Sequence, residues 1–294
     1  MQEIMGYEEF KGRGVTIMVC SKCNVKCGHC YVGYNSNFKP NELLDFVKEM
    51  SKKYHIYLNG SEPLMEPEYL KVFKFIQQHN CLSNGLLISE NEELLNELLE
   101  NEIRFIGISY HFQFHDIISS IPKEKIVKAI KKAIALGINV TVNCTVSKVN
   151  YKYVLENCDE VRKIGAQRIR FTNLIYTGKA RLDCSKYVLN DEERKEFFCL
   201  LDKARSVYNE DVLQIQRCGT FDRDIFKGKD NFLCESIKDF VVITPDMSVY
   251  PCIFQTEPQD KIGFVKDGKV YIKKDLSFDN TKCKTFHLKN NEFR

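Results

Sequence analysis

No apolar run in this chain of 294 residues approaches the ~20-residue length that a membrane-spanning helix needs. The N-terminus, Met1-Gln-Glu-Ile-Met-Gly6, lacks the apolar core of a secretory signal, so a cytoplasmic protein with no membrane partner is expected. An excess of one charge is missing too. The 43 basic residues face 40 acidic ones, a net charge of +3 spread along the chain, and that balance marks no nucleic-acid partner. Tryptophan is absent, which excludes nothing. Cysteine is abundant. Thirteen thiols, an odd number, argue for metal or redox chemistry rather than a disulfide framework. The length suits one large domain and a small one.

The densest cluster of thiols lies in Val19-Cys20-Ser21-Lys22-Cys23-Asn24-Val25-Lys26-Cys27-Gly28-His29-Cys30-Tyr31. It follows the apolar run Val15 to Val19, which reads as a buried strand, so the thiols occupy the loop at that strand's C-terminal end. Thiolates at this density select iron–sulfur clusters or zinc. A four-cysteine zinc site would use Cys20, Cys23, Cys27 and Cys30, although zinc ribbons usually place a longer element between their pairs. The two-cluster ferredoxin run C-x2-C-x2-C-x3-C-P is not matched. Cys23, Cys27 and Cys30 alone have the spacing CxxxCxxC, with Cys20 a bystander.

Beyond this loop the apolar pattern alternates between helix and strand. A helix is expected from Asn41 to about Lys53, then a strand His55–Asn59, a helix Glu66–Gln78 and a strand about Leu82–Ile88. A helix Glu90–Glu100 precedes a strand Ile103–Ser109. Pro122–Leu136 and Ile138–Val146 repeat the pattern, as do Tyr153–Lys163 and Arg168–Ile175. Such βα units imply a parallel sheet. Closed eightfold barrels usually need about 250 residues, so an incomplete, open barrel is expected, with a flavodoxin-like open sheet as the alternative. In either fold ligands sit at the C-terminal strand ends. The cysteine loop is at such an end, as are Gly60-Ser61-Glu62, Asn84-Gly85, Ser109 with His111, and Thr145 to Lys148.

The CxxxCxxC motif, with Asn24 after its first cysteine and Tyr31 after its last, resembles the signature loop of the radical S-adenosylmethionine (radical SAM) enzymes. The resemblance implies that Cys23, Cys27 and Cys30 hold three irons of a 4Fe–4S cluster whose fourth iron binds SAM. Gly60-Ser61-Glu62-Pro63 is similar to the family's Gly-Gly-Glu-Pro motif, which receives the SAM amino group; Ser61 replaces the second glycine. Ser83-Asn84-Gly85 resembles the family's Thr-Asn-Gly, and Ser109 stands where a serine lies near the SAM ribose or carboxylate. Asn143 to Asn150, including Lys148, resembles the fifth strand and its turn, and Asn173 to Ala180 the segment after the sixth. His29 occupies the aromatic position that packs near adenine through its backbone, with metal ligation by its ring as the other reading. These matches cover residues 15 to about 180.

After a helix over 189–208 the texture changes to short strands and turns. Val242-Ile-Thr-Pro-Asp-Met-Ser-Val-Tyr-Pro-Cys252 and Ile262-Gly263-Phe264 resemble the frame of an auxiliary iron–sulfur cluster in SPASM and twitch extensions, with Met247 in place of the turn glycine. The resemblance implies Cys234, Cys252 and Cys283 as ligands of a second 4Fe–4S cluster. The fourth ligand is left between Cys218, His287 and an open iron that binds substrate. Isolated buried cysteines are the alternative.

The implied architecture is an α/β partial (β/α)6 barrel over residues 1–185, a connecting helix over 186–210, and a small α+β twitch-like domain over 211–294. The implied chemistry is one-electron cleavage of SAM to a 5′-deoxyadenosyl radical that abstracts hydrogen from substrate, fed by a low-potential donor such as flavodoxin or ferredoxin. A ribosomally made precursor peptide is the expected substrate, modified by epimerisation or by crosslink or thioether formation. Roughly fourteen residues before the first strand leave no room for a leader-binding domain. For an epimerase, Cys218 is the candidate hydrogen donor, ahead of Cys144, Cys184 and Cys199. A protein-residue oxidase or a small-molecule dehydrogenase is the alternative enzyme, and a non-catalytic iron–sulfur electron carrier the alternative of another class.

Overall fold

The computed structural model describes residues 5–175, 177–179, 187–217, 237–274 and 276. It is an α/β protein with two compact units, one of Met1–Asn24, Tyr31–His79 and Asp230–Arg294, the other of Val25–Cys30 and Asn80–Lys229. The expected positions Cys184, Cys218, Cys234, Cys283 and His287 lie outside the described residues.

The first unit contains strands β1 (Tyr7–Glu9), β2 (Gly14–Met18), β3 (His55–Asn59), β9 (Phe240–Ile243), β10 (Ser248–Tyr250), β11 (Gly263–Lys266) and β12 (Lys269–Lys273). They form one sheet in the order β1-β12-β11-β10-β9-β2-β3. β2 runs parallel to both β3 and β9 and is buried almost throughout, which is why its sequence is apolar without a strict alternation. β1 and β12 show no strong signal in the sequence; they pair antiparallel with each other, Tyr7 opposite Lys273. Helix α1 (Pro40–Met50) buries Leu43, Val47 and Met50 along one face.

The helix expected over Glu66–Gln78 is instead a 3-10 run, Pro67–Phe75, preceded by a shorter one, Pro63–Met65. Pro63 and Pro67 each open a run, where a missing N–H is tolerated.

The second unit holds a five-stranded, wholly parallel sheet of β4 (Asn80–Ser83), β5 (Phe105–Ser109), β6 (Asn139–Val146), β7 (Arg168–Asn173) and β8 (Gln214–Arg217), in that order. Helices α2 (Leu86–Glu90), α3 (Glu93–Glu100), α4 (His115–Ser119), α5 (Lys123–Ala135), α6 (Val154–Ile164) and α7 (Asp191–Val207) complete it. The strand expected to reach Ile88 ends at Ser83, because Gly85 adopts φ +81° and starts α2. One face of this sheet is apolar: Ile106, Ile108, Val140, Val142, Ile169 and Phe171 are buried. The alternate residues of the same strands stand on the other face and are mostly polar. A reciprocal capping box between Asn190 and Glu193 starts α7, as expected for Asn followed three residues later by Glu.

Candidate active site

The first part of the cysteine loop is tied down by backbone polar groups. Asn37 Oδ1 accepts from the N–H groups of Ser21 and Lys22, both at 3.1 Å, and the Tyr34 hydroxyl donates to the Cys20 carbonyl. Ser61 N–H donates to the same Cys20 carbonyl at 3.0 Å, and Glu62 N–H donates to Lys22 O at 3.2 Å. The glycine at position 60 is required by this approach, since a Cβ there would come within 2.9 Å of Val19 Cγ2. The Glu62 carboxylate is wholly buried and accepts from Leu64 N–H at 3.2 Å. The turn that follows β3 is thus fastened to the loop that follows β2.

Within that loop Cys23 is exposed, whereas Cys27 and Cys30, in the second unit, are half-buried. Cys30 N–H donates to Cys27 O at 3.4 Å, and Lys179 N–H donates to Cys30 O at 2.9 Å. Cys20 is different. It is buried, its Sγ lies 3.8 Å from Lys22 O, and burial pushes its thiol pKa up. Cys144 and Cys158 are also buried, and desolvation raises both thiols, Cys158 to about 12. Such thiols are packing residues. Cys199 is exposed on α7.

Three accessible thiols at CxxxCxxC spacing, on a loop whose ends are held by hydrogen bonds, fit a three-cysteine cluster. Among the described residues, no three His, Cys, Asp or Glu side chains are grouped so as to hold a single metal ion. Three thiolates on a four-iron cluster leave one iron open, as catalysis requires.

His29 is half-buried, its Nδ1 shut off from solvent, and its ring meets that of His111 edge-on at 5.1 Å between centroids. His111 in turn stacks on His115 at 5.3 Å. Tautomers follow from the partners. His111 Nδ1 accepts from Thr145 N–H at 3.3 Å and His115 Nδ1 from His111 N–H at 3.0 Å, so their protons are on Nε2. A metal-bound imidazole normally donates through its second nitrogen, so neither ring is arranged as a ligand. Desolvation lowers the pKa of His29 and of His115 to about 4, and holds that of His111 well below its ordinary value. The trio is neutral. His29 therefore packs here, and the alternative of metal ligation by its ring gains no imidazole neighbour to complete a site. Gly28 and His29 line a small cavity with Ile118, Thr145, Ser147 and Tyr187.

The other expected SAM contacts divide between the two units. Asn84 caps α2, its Oδ1 accepting from Leu86 N–H at 2.9 Å. Ser109 and Asn143 are direct neighbours in the β5–β6 register. Asn143 Oδ1 is buried without a hydrogen-bond partner, and its amide lies where a Cβ on Gly107 would come within 2.6 Å. Lys148 N–H donates to Tyr187 O at 2.9 Å. Tyr31 packs edge-on against Phe254 at 5.0 Å, two residues from the half-buried Cys252. His115, Arg170 and Gln216 do not stand out in the sequence; only the alternation Arg168-Ile-Arg-Phe-Thr-Asn173 hinted at a polar sheet face.

Comparison with known proteins agrees with this reading. Residues 17–161 match the model of the Radical SAM superfamily. GTP 3′,8-cyclase of Clostridium perfringens is 26% identical over 151 residues, 44% of this chain and 45% of that protein. The chain thus spans less than half of that relative. Among solved structures, SuiB of Streptococcus suis bound to S-adenosylmethionine superposes with a TM-score of 0.66 at 15% identity, covering 85% of this chain and 62% of that one. The enzyme anSMEcpe with bound AdoMet and Kp18Cys peptide gives 0.65 at 20% identity, covering 87% and 78%. The cysteine loop and the buried Glu62 turn lie within residues 17–161, the segment that matches the Radical SAM superfamily.

Proposed function

We propose that this protein is a radical SAM enzyme that removes a hydrogen atom from a ribosomally made peptide. One observation carries the proposal: the accessible CxxxCxxC loop is hydrogen-bonded through Cys20 and Lys22 to the turn that holds the buried Glu62. Cys23, Cys27 and Cys30 would hold a 4Fe–4S cluster, which when bound supplies the electron that cleaves SAM to a 5′-deoxyadenosyl radical. Gly60, Ser61 and Glu62 offer acceptors for the SAM ammonium. Ser109 and Asn143 present a hydroxyl and an unpartnered amide oxygen one strand apart. His29 and Tyr31, next to Cys30 in the chain, and Asn84 and Lys148 would supply the further cofactor contacts.

Peptide substrates are supported by the neighbours of similar fold. SuiB has been solved with precursor peptide SuiA, and anSMEcpe with Cp18Cys and Kp18Cys peptides. Residues 211–294 would form a twitch-like extension, with Cys234, Cys252 and Cys283 holding a second cluster and Cys218 serving as fourth ligand or as hydrogen donor. A flavodoxin or ferredoxin would deliver the electron, in the cytoplasm. Among the described residues no helix is long and apolar enough to cross a membrane. A second reading, a small-molecule substrate, is favoured by the sequence relatives, GTP 3′,8-cyclase and an Fe-coproporphyrin III synthase.

The test is anaerobic reconstitution of the wild type beside a Cys23/Cys27/Cys30→Ala variant, with iron and sulfide counts and a 5′-deoxyadenosine assay. About eight irons falling to about four, with cleavage lost, is the result expected for two such clusters. About four falling to none would remove the second cluster and keep the enzyme. Zinc without SAM cleavage would overturn the proposal.

A further inference from the structure

The polar face of the five-stranded sheet carries positive charge and no negative charge. Parallel pairing aligns Ser109 with Asn143, Asn143 with Arg170, and Arg170 with Gln216, giving one row across four strands. The next row towards the N-terminal strand ends aligns Gly107, Thr141, Arg168 and Gln214. No Asp or Glu occurs anywhere on this face of β4 to β8. Both guanidinium groups are half-buried, and among the described residues neither meets a carboxylate.

Each is instead braced by a neutral glutamine. Gln216 Oε1 accepts from Arg170 Nε at 3.3 Å and from Nη2 at 3.0 Å, and Gln214 Oε1 accepts from Arg168 Nε. The bracing uses the side edge of Arg170. Among the described residues its end edge, with one N–H on Nη1 and one on Nη2, keeps two parallel donors uncommitted, the pattern that a carboxylate accepts in bidentate fashion. A glutamine brace fixes the rotamer without neutralising the charge, so the ordering cost is met before a ligand arrives.

We propose that Arg170, braced by Gln216, binds a substrate carboxylate, such as an acidic side chain of a peptide, and that Arg168 supports it through its charge. This rests on the radical SAM reading, because it places the substrate beside Ser109 and Asn143 in the same row. Arg170 is then a substrate-positioning residue that determines specificity.

The test uses the oxidised, cluster-loaded full-length protein, first titrated with SAM and then, with SAM bound, with capped glutamate (N-acetyl-L-glutamate N-methylamide) by ligand-detected NMR. The capped glutamine analogue and inorganic pyrophosphate serve as comparisons. Arg170→Gln should weaken capped glutamate by about tenfold or more, the scale of a lost charge-assisted pair, while the SAM Kd stays within about twofold. Gln216→Ala, which keeps the charge but frees the rotamer, should weaken it less. Where Arg170→Gln does not fold, Arg170→Lys replaces it, with the same loss expected because Lys lacks the paired donors. Equal binding of capped glutamine would overturn the proposal. So would loss of SAM affinity alone in the variant, which would assign Arg170 to the carboxylate of SAM. Arg170-dependent binding of pyrophosphate but not of capped glutamate would assign it to a phosphate and overturn the carboxylate. A wild type that holds no iron and binds no SAM fails at the first titration, which separates failure of the radical SAM reading from failure of this one.

Discussion

Ser61 N–H donates to the carbonyl oxygen of Cys20 at 3.0 Å, and that bond joins the turn after β3 to the loop that carries Cys23, Cys27 and Cys30. The next residue, Glu62, places a carboxylate in a fully buried position. Replacing it separates charge from shape. Glu62→Gln keeps the acceptor for Leu64 N–H and should leave the melting temperature nearly unchanged, while weakening SAM by about tenfold or more through loss of a charge-assisted contact. Glu62→Ala should lose SAM binding and about 1–3 kcal/mol of stability, because Leu64 N–H is left unsatisfied. Equal SAM affinity in Glu62→Gln and wild type would remove Glu62 from the site.

Cys20 should be dispensable for the cluster. Its thiol is buried and neutral, whereas Cys23, Cys27 and Cys30 are accessible. Cys20→Ala is expected to retain full iron after reconstitution and to cost about 1 kcal/mol for one small buried side chain. Each of the other three, replaced singly by Ala, should lose about four irons. Iron loss in Cys20→Ala would restore the four-cysteine reading.

Acid should destabilise the second unit through its histidines. Burial lowers the folded-state pKa of His115 to about 4, and of His111 well below its ordinary value, against an unfolded value near 6.5. The unfolded chain therefore binds more protons as pH falls below about 6.5, and stability is lost progressively down to about pH 4. Melting temperatures measured from pH 7.5 to 4.5 should fall over that window. His115→Asn keeps an acceptor for His111 N–H and should flatten part of the dependence. An unchanged slope in that variant would show that the imidazole does not titrate as described.

Met247 occupies the turn between β9 and β10 at φ +62°, the conformation for which glycine is suited. Asp246 secures the turn by accepting from Ser248 N–H at 3.3 Å and from Ser248 Oγ at 2.9 Å. Met247→Gly removes the left-handed penalty of about 1–2 kcal/mol but adds entropy to the unfolded chain. A net gain of about 0.5–1 kcal/mol by chemical denaturation is expected. A loss would mean that Met247 contributes packing that outweighs its backbone strain.

Local chemistry was readable without the fold. The spacing of Cys23, Cys27 and Cys30, the Gly60-Ser61-Glu62-Pro63 turn and the βα periodicity each lie within a short stretch, so the residues that act together are also neighbours in the chain. The departures came where distant segments compete. The helix expected over Glu66–Gln78 became the 3-10 run Pro67–Phe75, β9 paired with β2 across more than two hundred residues, and β1 found β12 near the other end of the chain. Neither pairing has a local signal, because strands so far apart in the chain are not joined by a connecting turn. The same holds for the site. By itself the sequence determined which side chains could hold a cluster. Only the tertiary structure decided that His29, His111 and His115 form one neutral trio, and that Ser109, Asn143, Arg170 and Gln216 stand in one row, since strand register brings together residues that the chain keeps far apart.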